Sequence, residues 1–376
     1  MRFASVAPPL LCAILVTGAV TVTAPACASK ARPEPPPATP PLLTWLGDFT
    51  RPAGTAYPQL PNSPRFGSLS GLVHDVSSGN WLAVIDDRED SRLAWVSISY
   101  DGKRLNVAPI RMQPLKAGPG VADRLVRQAD LEAITALPDG TFIVSEEGHI
   151  RDGEIWQPAL MRVTRDGVVT SVINFPPAFQ ISGDEKSGLR DNQGVESLTR
   201  TPSGTLIAGL EQPLFGQSAP TFEQPGLTKL IEFVPEGDSY TPGRQWDYML
   251  SPTPRMAGME ITCADGENGL VDMVALSDTR LVTLERACLR DEVNDRNANP
   301  VRLYIVELQG TEAKKTMLLD LEQMIWRLPP ELSRLDNYEA LAFGPIVNNA
   351  RTLLVVSDDN FRKTQRTSFL LFGLYY

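Results

Sequence analysis

Histidine is nearly absent. The 376-residue chain has two, His74 and His149, which leaves little room for chemistry that needs several imidazoles. Long apolar runs are missing as well: past the N-terminal stretch, none nears the ~20 residues of a membrane span. Positive charge is in deficit, with a net charge of −10. That argues against nucleic acid and anionic membrane surfaces as partners, though not against a locally basic pocket. No glycine-rich phosphate loop and no dinucleotide fingerprint follows a strand. GSLSG (67–71) resembles a nucleophile elbow but places Leu69 where serine is required. It also opens a strand rather than a strand–helix turn, so catalysis by Ser70 with His74 or His149 as base has little support.

The N-terminus carries what the rest lacks. Arg2, the apolar stretch LLCAILVTGAV (10–20) and the small residues Ala24, Ala26 and Ala28 read as a secretory signal over residues 1–28. Cleavage is expected after Ala26 or Ala28. The alternative is cleavage before Cys27 with a lipid attached there, against which Ala24 and Pro25 make a poor lipoprotein box. Residues 29–41 (SKARPEPPPATPP) form a proline-rich spacer, and residues 42–376 form the folded domain. An exported monomer is expected, periplasmic or secreted, or tethered through lipid. Cys12 leaves with the signal, and an oxidising compartment favours a bond between Cys263 and Cys288, the alternative being two buried thiols.

Five hairpin-like segments organise the domain: LSGLVHDVSSGNWLAVIDD (69–87), LEAITALPDGTFIVSEE (131–147), VESLTRTPSGTLIAGLEQ (195–212), VDMVALSDTRLVTLER (271–286) and YEALAFGPIVNNARTLLVVSDD (338–359). Each is an apolar strand, a turn-rich middle and a second apolar strand. The second residue of the first strand is Ser70, Glu132, Glu196, Asp272 or Glu339. The end of the second strand is Asp86, Glu146, Glu211, Glu285 or Asp358. This pairing sets the two residues opposite each other across an antiparallel hairpin. Like charges directly opposite destabilise a hairpin, so four such pairs predict a positive charge between them.

Two further strand-like runs follow each hairpin except the last, which is followed by TSFLLFGLYY (367–376) alone. The missing outer strand can come from LLTWLGDFT (42–50). An all-β fold results: a single β-propeller of four-stranded blades, closed by the N-terminal strand. Five blades are favoured, with a sixth possible in 174–194 or 251–270. The long loops and the acids fall on one face, where binding and catalysis concentrate.

In LSGLVHD, DLEAITALPDGTFIVSEE, NQGVESLTRTPSGTLIAGLEQPL, LVTLER and NYEALAFG with SDDNF, the chain resembles the phytase-like propeller family, described as having esterase-like activity of phytase. The resemblance covers roughly 43–374. It implies hydrolysis of a phosphate ester or another ester, assisted by calcium. Where the family often has glycine after the blade acid, this chain has Ala133, Ser197, Met273 and Ala340.

Calcium takes six to eight oxygen ligands and needs neither histidine nor cysteine. Glu132, Glu196, Asp272 and Glu339 are candidates for an axial ring, and Asp86, Glu146, Glu211, Glu285 and Asp358 for a second ring. Asp130, Asn192 and Asn337 add oxygens. Catalytic candidates are Glu132, Glu196 and Glu339 with Arg88 and Arg286, arginine being suited to paired donation to phosphate. The structural alternative has the carboxylates bonding backbone amides and pairing with Arg88, Arg286 and Arg362. Two other functions stay open: a non-catalytic ligand- or protein-binding propeller with structural calcium, and a carboxylic ester or lactone hydrolase.

Overall fold

The computed structural model describes residues 42–60, 65–184, 186–260, 268–291, 293–294 and 296–375. The signal, the lipid-anchor alternative at Cys27, the spacer and the Cys263 end of the expected disulfide lie outside them. No described helix is long and apolar enough to cross a membrane.

The protein is all-β. Its strands form four-stranded antiparallel units in chain order. The first contains Leu69–Asp75, Asn80–Ile85, Arg92–Tyr100 and Leu105–Pro114. The second contains Leu131–Ala136, Phe142–Glu146, Ala159–Val163 and Val168–Asn174, with Lys116–Ala117 added in parallel at its edge. The third contains Val195–Arg200, Leu206–Leu210, Gly226–Glu236 and Ser239–Leu250. The fourth contains Asn268–Ala275, Arg280–Ala287, Val301–Gln309 and Glu312–Asp320. A short parallel pairing, Asp247 with Glu312 and Tyr248 with Ala313, joins the third and fourth edge to edge into one eight-stranded sheet. The last unit takes Asn337–Phe343, Thr352–Asp358 and Arg366–Tyr375, and Leu42–Pro52 pairs antiparallel with the last of these. That pairing is apolar as well as hydrogen-bonded: Trp45 meets Phe372 and Phe49 meets Phe369 edge to face.

The apolar residues explain why these units associate. The strands read as near-continuous hydrophobic runs because both faces of each unit are covered. One core cluster joins the first and second units (Val84, Trp95, Phe142, Val144), and others join the second to the third (Ile143, Phe175, Leu206, Phe233) and the third to the fourth (Ile207, Tyr248, Leu281, Val306). Two more join the fourth to the fifth (Val282, Leu303, Leu353, Phe372) and the fifth back to the first (Leu354, Phe369, Leu72, Ala83). Burying one such side chain stabilises by ~1.5–3 kcal/mol, so each unit is held by its two neighbours rather than by its own sheet. The innermost strands touch in chain order, and the first touches the fifth. They approach closely: a Cβ on Gly71 would sit 2.6 Å from the Glu132 carbonyl oxygen and 2.9 Å from the Ala133 Cα.

Two expectations change. WDYML (246–250), where the apolar signal marks only a short strand, is the end of the twelve-residue Ser239–Leu250. Its first half, SYTPGRQ, is largely exposed and lacks the apolar signal. The described parts of 174–194 and 251–270 add no further unit. The former holds a 3-10 turn at Pro177–Phe179 and bridges from Ile181, and the strand beginning at Asn268 belongs to the fourth unit.

Candidate metal centre at an acidic mouth

Each first strand is bulged near its start. Leu69 pairs with Ile85 and Gly71 with Val84, so Ser70 has no partner of its own. The same slip singles out Glu196 and Glu339, and in the second unit it falls across Glu132 and Ala133, between the pairs Leu131–Glu146 and Ile134–Val144. In the fourth unit Leu270 pairs with Glu285 and Asp272 with Leu284, so the extra residue is Val271. A bulge sets two residues against one and re-aims the side chain. The inner positions are therefore Ser70, Glu132, Glu196, Val271 and Glu339. The second-strand positions shift with them. Asp86, Glu147 and Glu211 donate their backbone N–H to Ser68, Asp130 and Gly194, and Arg286 and Asp358 pair with Gly269 and Asn337. The outer positions are Asp86, Glu147, Glu211, Arg286 and Asp358.

Three expected ring acids stand one residue away and do other work. Glu146 accepts from the backbone N–H of Asp130 at 2.7 Å and of Gly148 at 3.2 Å, and contacts His149 Nδ1 at 3.1 Å. Burial pushes its pKa up to about 7, with the His149 contact opposing. Asp272 accepts from the N–H of Met273 at 2.8 Å and of Leu341 at 2.6 Å, tying the fourth unit to the fifth. Burial holds its pKa well above the usual carboxylate value, and these amides oppose the shift. Glu285 is bound by Lys315, Tyr248, the Ser251 N–H and Asn268. In all three the structural alternative describes the contacts found.

The remaining acids converge. A cavity of about 450 Å³ is lined by Asp86, Glu132, Glu196, Glu211, Glu339 and Asp358, together with Arg88, Arg286, Arg334 and Arg362. Two groups of carboxylates have oxygens within 4.8 Å of one another: Asp86, Asp130 and Glu132, and Glu132, Glu147 and Glu196. Glu132 belongs to both. Asp130, Glu132, Glu147 and Glu196 are buried. Burial first, then the neighbouring carboxylates, holds Glu132, Glu147 and Glu196 well above the usual carboxylate range, and pushes Asp86 up to about 8. Asp358 is raised by burial and by the charges of Glu339 and Asp86.

Two arginines divide the mouth. Arg286 Nη2 donates to Glu339 Oε1 at 2.6 Å, and its Nη1 lies 3.8 Å from Glu211 Oε1. Arg88 lies against Asp130 Oδ2 and donates to Asn192. Arg88 thus faces Asp130, Asp86 and Glu147, while Glu196 feels Arg286, which Glu211 and Glu339 also share. Apart from the Arg88 ion pair, no hydrogen bond satisfies the buried Asp130 carboxylate. Crowded buried carboxylates with spare lone pairs are the donor set that a hard divalent cation takes, and these residues fit one.

Ser70 and the histidines do not form a catalytic pair. Ser70 Oγ is buried without a hydrogen bond. His74 lies against Trp81, ring centres 4.5 Å apart, and His149 stacks on Trp156 while contacting Glu146. Of the cations read as substrate contacts, Arg88 and Arg286 line the cavity. Arg334 and Arg362, exposed at its rim, do so as well.

Glu147 was hidden by its neighbour: in the doublet Glu146–Glu147 the first acid aligns by eye with Asp86. Spacing exposes it. From inner to outer position the count is 147 − 132 = 15, 211 − 196 = 15 and 286 − 271 = 15, equal in the second, third and fourth units.

No curated protein sequence matches the chain. Among solved structures it is similar to exo-β-1,3-galactanase from Phanerochaete chrysosporium, at 7% identity and a TM-score of 0.47 over 86% of this chain and 64% of that one. It thus spans less than two thirds of the galactanase. It is similar to endo-arabinase from Bacteroides thetaiotaomicron, at 11% identity and a TM-score of 0.45 over 87% and 97% of the two chains. It is also similar to a luciferin-regenerating enzyme, at 12% identity and a TM-score of 0.34 over 83% and 93%. Residues 64–361 match the model of the phytase-like family, described as esterase-like activity of phytase, and the chain belongs to that family.

Proposed function

We propose that the protein is an exported hydrolase of phosphate esters, working at the acidic mouth of a five-bladed propeller whose ring is closed by the N-terminal strand. The five four-stranded units are its blades. Asp86, Asp130, Glu132, Glu147 and Glu196 would hold a divalent cation, calcium by the hardness and number of their oxygens. The observation that carries this reading is the buried Asp130 carboxylate, which apart from the Arg88 ion pair has no hydrogen-bond partner while Asp86 and Glu132 crowd it. Buried charges need a partner, and Arg88, with an Arg286 already shared by Glu211 and Glu339, leaves these five acids in excess.

Bound there, calcium supplies Lewis acidity toward a phosphoryl oxygen. The protein's own groups do the rest. Arg334 and Arg362 stand at the rim, where guanidinium forks suit phosphate oxygens. Arg286 holds Glu339 and Glu211, and Arg88 holds Asp130, so both position acids. Asp358 lines the cavity outside both carboxylate groups, and burial beside Glu339 and Asp86 raises its proton affinity, as suits a group that takes and returns a proton.

The test is metal analysis of the purified protein, then a panel of phosphate and carboxylic esters with and without chelator. Phosphate release that stops with chelator and returns with Ca²⁺ supports the reading. Turnover of lactones or carboxylic esters alone replaces phosphate as the substrate class. A lower melting temperature with chelator and no turnover of any ester makes this a binding propeller with structural calcium.

A further inference from the structure

The opposite end of the axis has a different chemistry. A cavity of about 500 Å³ opens there, walled by Leu72, Ile134, Leu198, Met273 and Leu341, one from each first strand. A second cavity of about 460 Å³ adjoins it and shares His74, Arg200, Ala275, Phe343 and Arg351. Each falls in the size range of small-molecule sites. A layer of small or braced residues separates this end from the mouth: Gly71, Ala133, Ser197, Asp272 and Ala340, all buried.

Two features point to an occupant. The first is charge. Among the described residues neither Arg200 nor Arg351 has an ion pair, whereas Arg165, Arg162 and Arg280, also toward the turns at this end, pair with Asp75, Asp139 and Glu307. Arg200 Nε is buried with no acceptor. Arg351 is exposed, 5.4 Å from the Phe343 ring centre. His74 adds no charge at neutral pH, because burial lowers its pKa from an ordinary value already below 7. The second is apolar exposure at the rim: Val76 is 84% and Ile346 66% exposed, and each lines one of the two cavities.

We propose that this end of the axis is a binding site for a small amphipathic anion, its apolar body among the first-strand side chains and its anionic group on Arg200 and Arg351. The site is independent of the acidic mouth and involves no bond making.

Calorimetric titration of the metal-replete protein with decanoate, decanol and decyltrimethylammonium tests it. Decanoate is expected to bind with one-to-one stoichiometry, decanol roughly tenfold or more weakly, and the cation weakest, since a hydrogen bond to a charged group is worth ~1.5–3 kcal/mol. Arg351→Gln, at an exposed position that should not disturb folding, is expected to weaken decanoate roughly tenfold and leave decanol unchanged. Arg200→Gln should do the same, with an unchanged melting temperature as the check on folding. Equal affinity for decanoate and decanol, no effect of Arg351→Gln, or no decanoate binding would each overturn the proposal.

Discussion

The second and fourth units share one backbone and carry opposite charge. Each has a bulged first strand, and each places its inner and outer positions fifteen residues apart. The second fills them with Glu132 and Glu147. The fourth fills them with Val271 and Arg286. On the side of the second unit the carboxylates crowd to within 4.8 Å, and burial and mutual repulsion raise their proton affinity. On the side of the fourth a guanidinium already sits between Glu211 and Glu339. The scaffold therefore does not fix the charge of the mouth. It fixes positions, and two substitutions turn a site that wants a cation into one that supplies its own.

The largest effect should come from removing the built-in cation. Arg286→Met leaves Glu211 and Glu339 buried without it. Breaking a buried pair from one side costs about 3–5 kcal/mol. Denaturant unfolding in calcium-saturated buffer should show a loss of that order, and a loss below about 1 kcal/mol would mean that Arg286 is not the internal counter-ion.

Glu132→Gln probes the other side. Because Glu132 belongs to both carboxylate groups, calcium affinity should fall roughly 100-fold, at least the upper end of what loss of an outer-shell partner costs. In chelator the sign should reverse, since the substitution removes one of several crowded negative charges. Calcium titration and unfolding with and without chelator read both. Unchanged affinity, or equal destabilisation in the two buffers, would remove the cluster from the cation site.

The pH dependence should differ in the same way. Asp86 has its folded pKa raised from 3.8 to about 8. A carboxyl raised on folding stays protonated in the native state while its unfolded counterpart ionises. The native state then holds more protons, and stability falls as pH rises. Without divalent ions, stability should decline from about pH 4 to about pH 8, and Asp86→Asn should flatten part of that slope. Saturating calcium should flatten it too. Asp75 and Glu232 run the other way. Their pKa values are lowered, by hydrogen bonds from Ser78, Arg165 and Ser77 that outweigh desolvation at Asp75 and by Arg244 at Glu232. What they contribute is lost on acidification below about pH 4, with or without metal.

Much of this architecture is legible before any coordinates. Strand patterning gives all-β structure, five acid-bearing hairpins and a face rich in long loops, because alternation and turn residues are local signals. LLTWLGDFT and TSFLLFGLYY read as complementary strands, and Leu43 does lie opposite Leu374. The bulge is not local. It arises where the first strands crowd at the centre, and it moves every later pairing by one residue. Hence Asp272 aligned with Glu196 by eye while Val271 occupies the equivalent place, and Glu146 and Glu285 stood in for Glu147 and Arg286. A one-residue slip sends a side chain to the other face of its strand, so spacing alone places acids of the right type one position off. The rim cation Arg334 was missed for another reason: it comes from the loop before the fifth unit, and nothing in its neighbourhood marks it.

Asp272→Asn tests that slip, with the smallest effect. If Asp272 braces the backbone, the amide keeps one acceptor oxygen but loses the charge that strengthens the bonds from the Met273 and Leu341 N–H groups. The expected cost is about 1–2 kcal/mol, the scale of a hydrogen bond to a charged group. Calcium affinity should stay unchanged, because Asp272 lies in the buried layer beneath the mouth and in neither carboxylate group. Its fourth-unit neighbour at the inner position offers a matched control. Val271→Glu puts a carboxyl among the apolar side chains that Val271 packs with, so it should cost stability yet alter calcium affinity less than Glu132→Gln does. A fall in calcium affinity for Asp272→Asn as large as that for Glu132→Gln would restore Asp272 to the ring and undo the distinction between the two units.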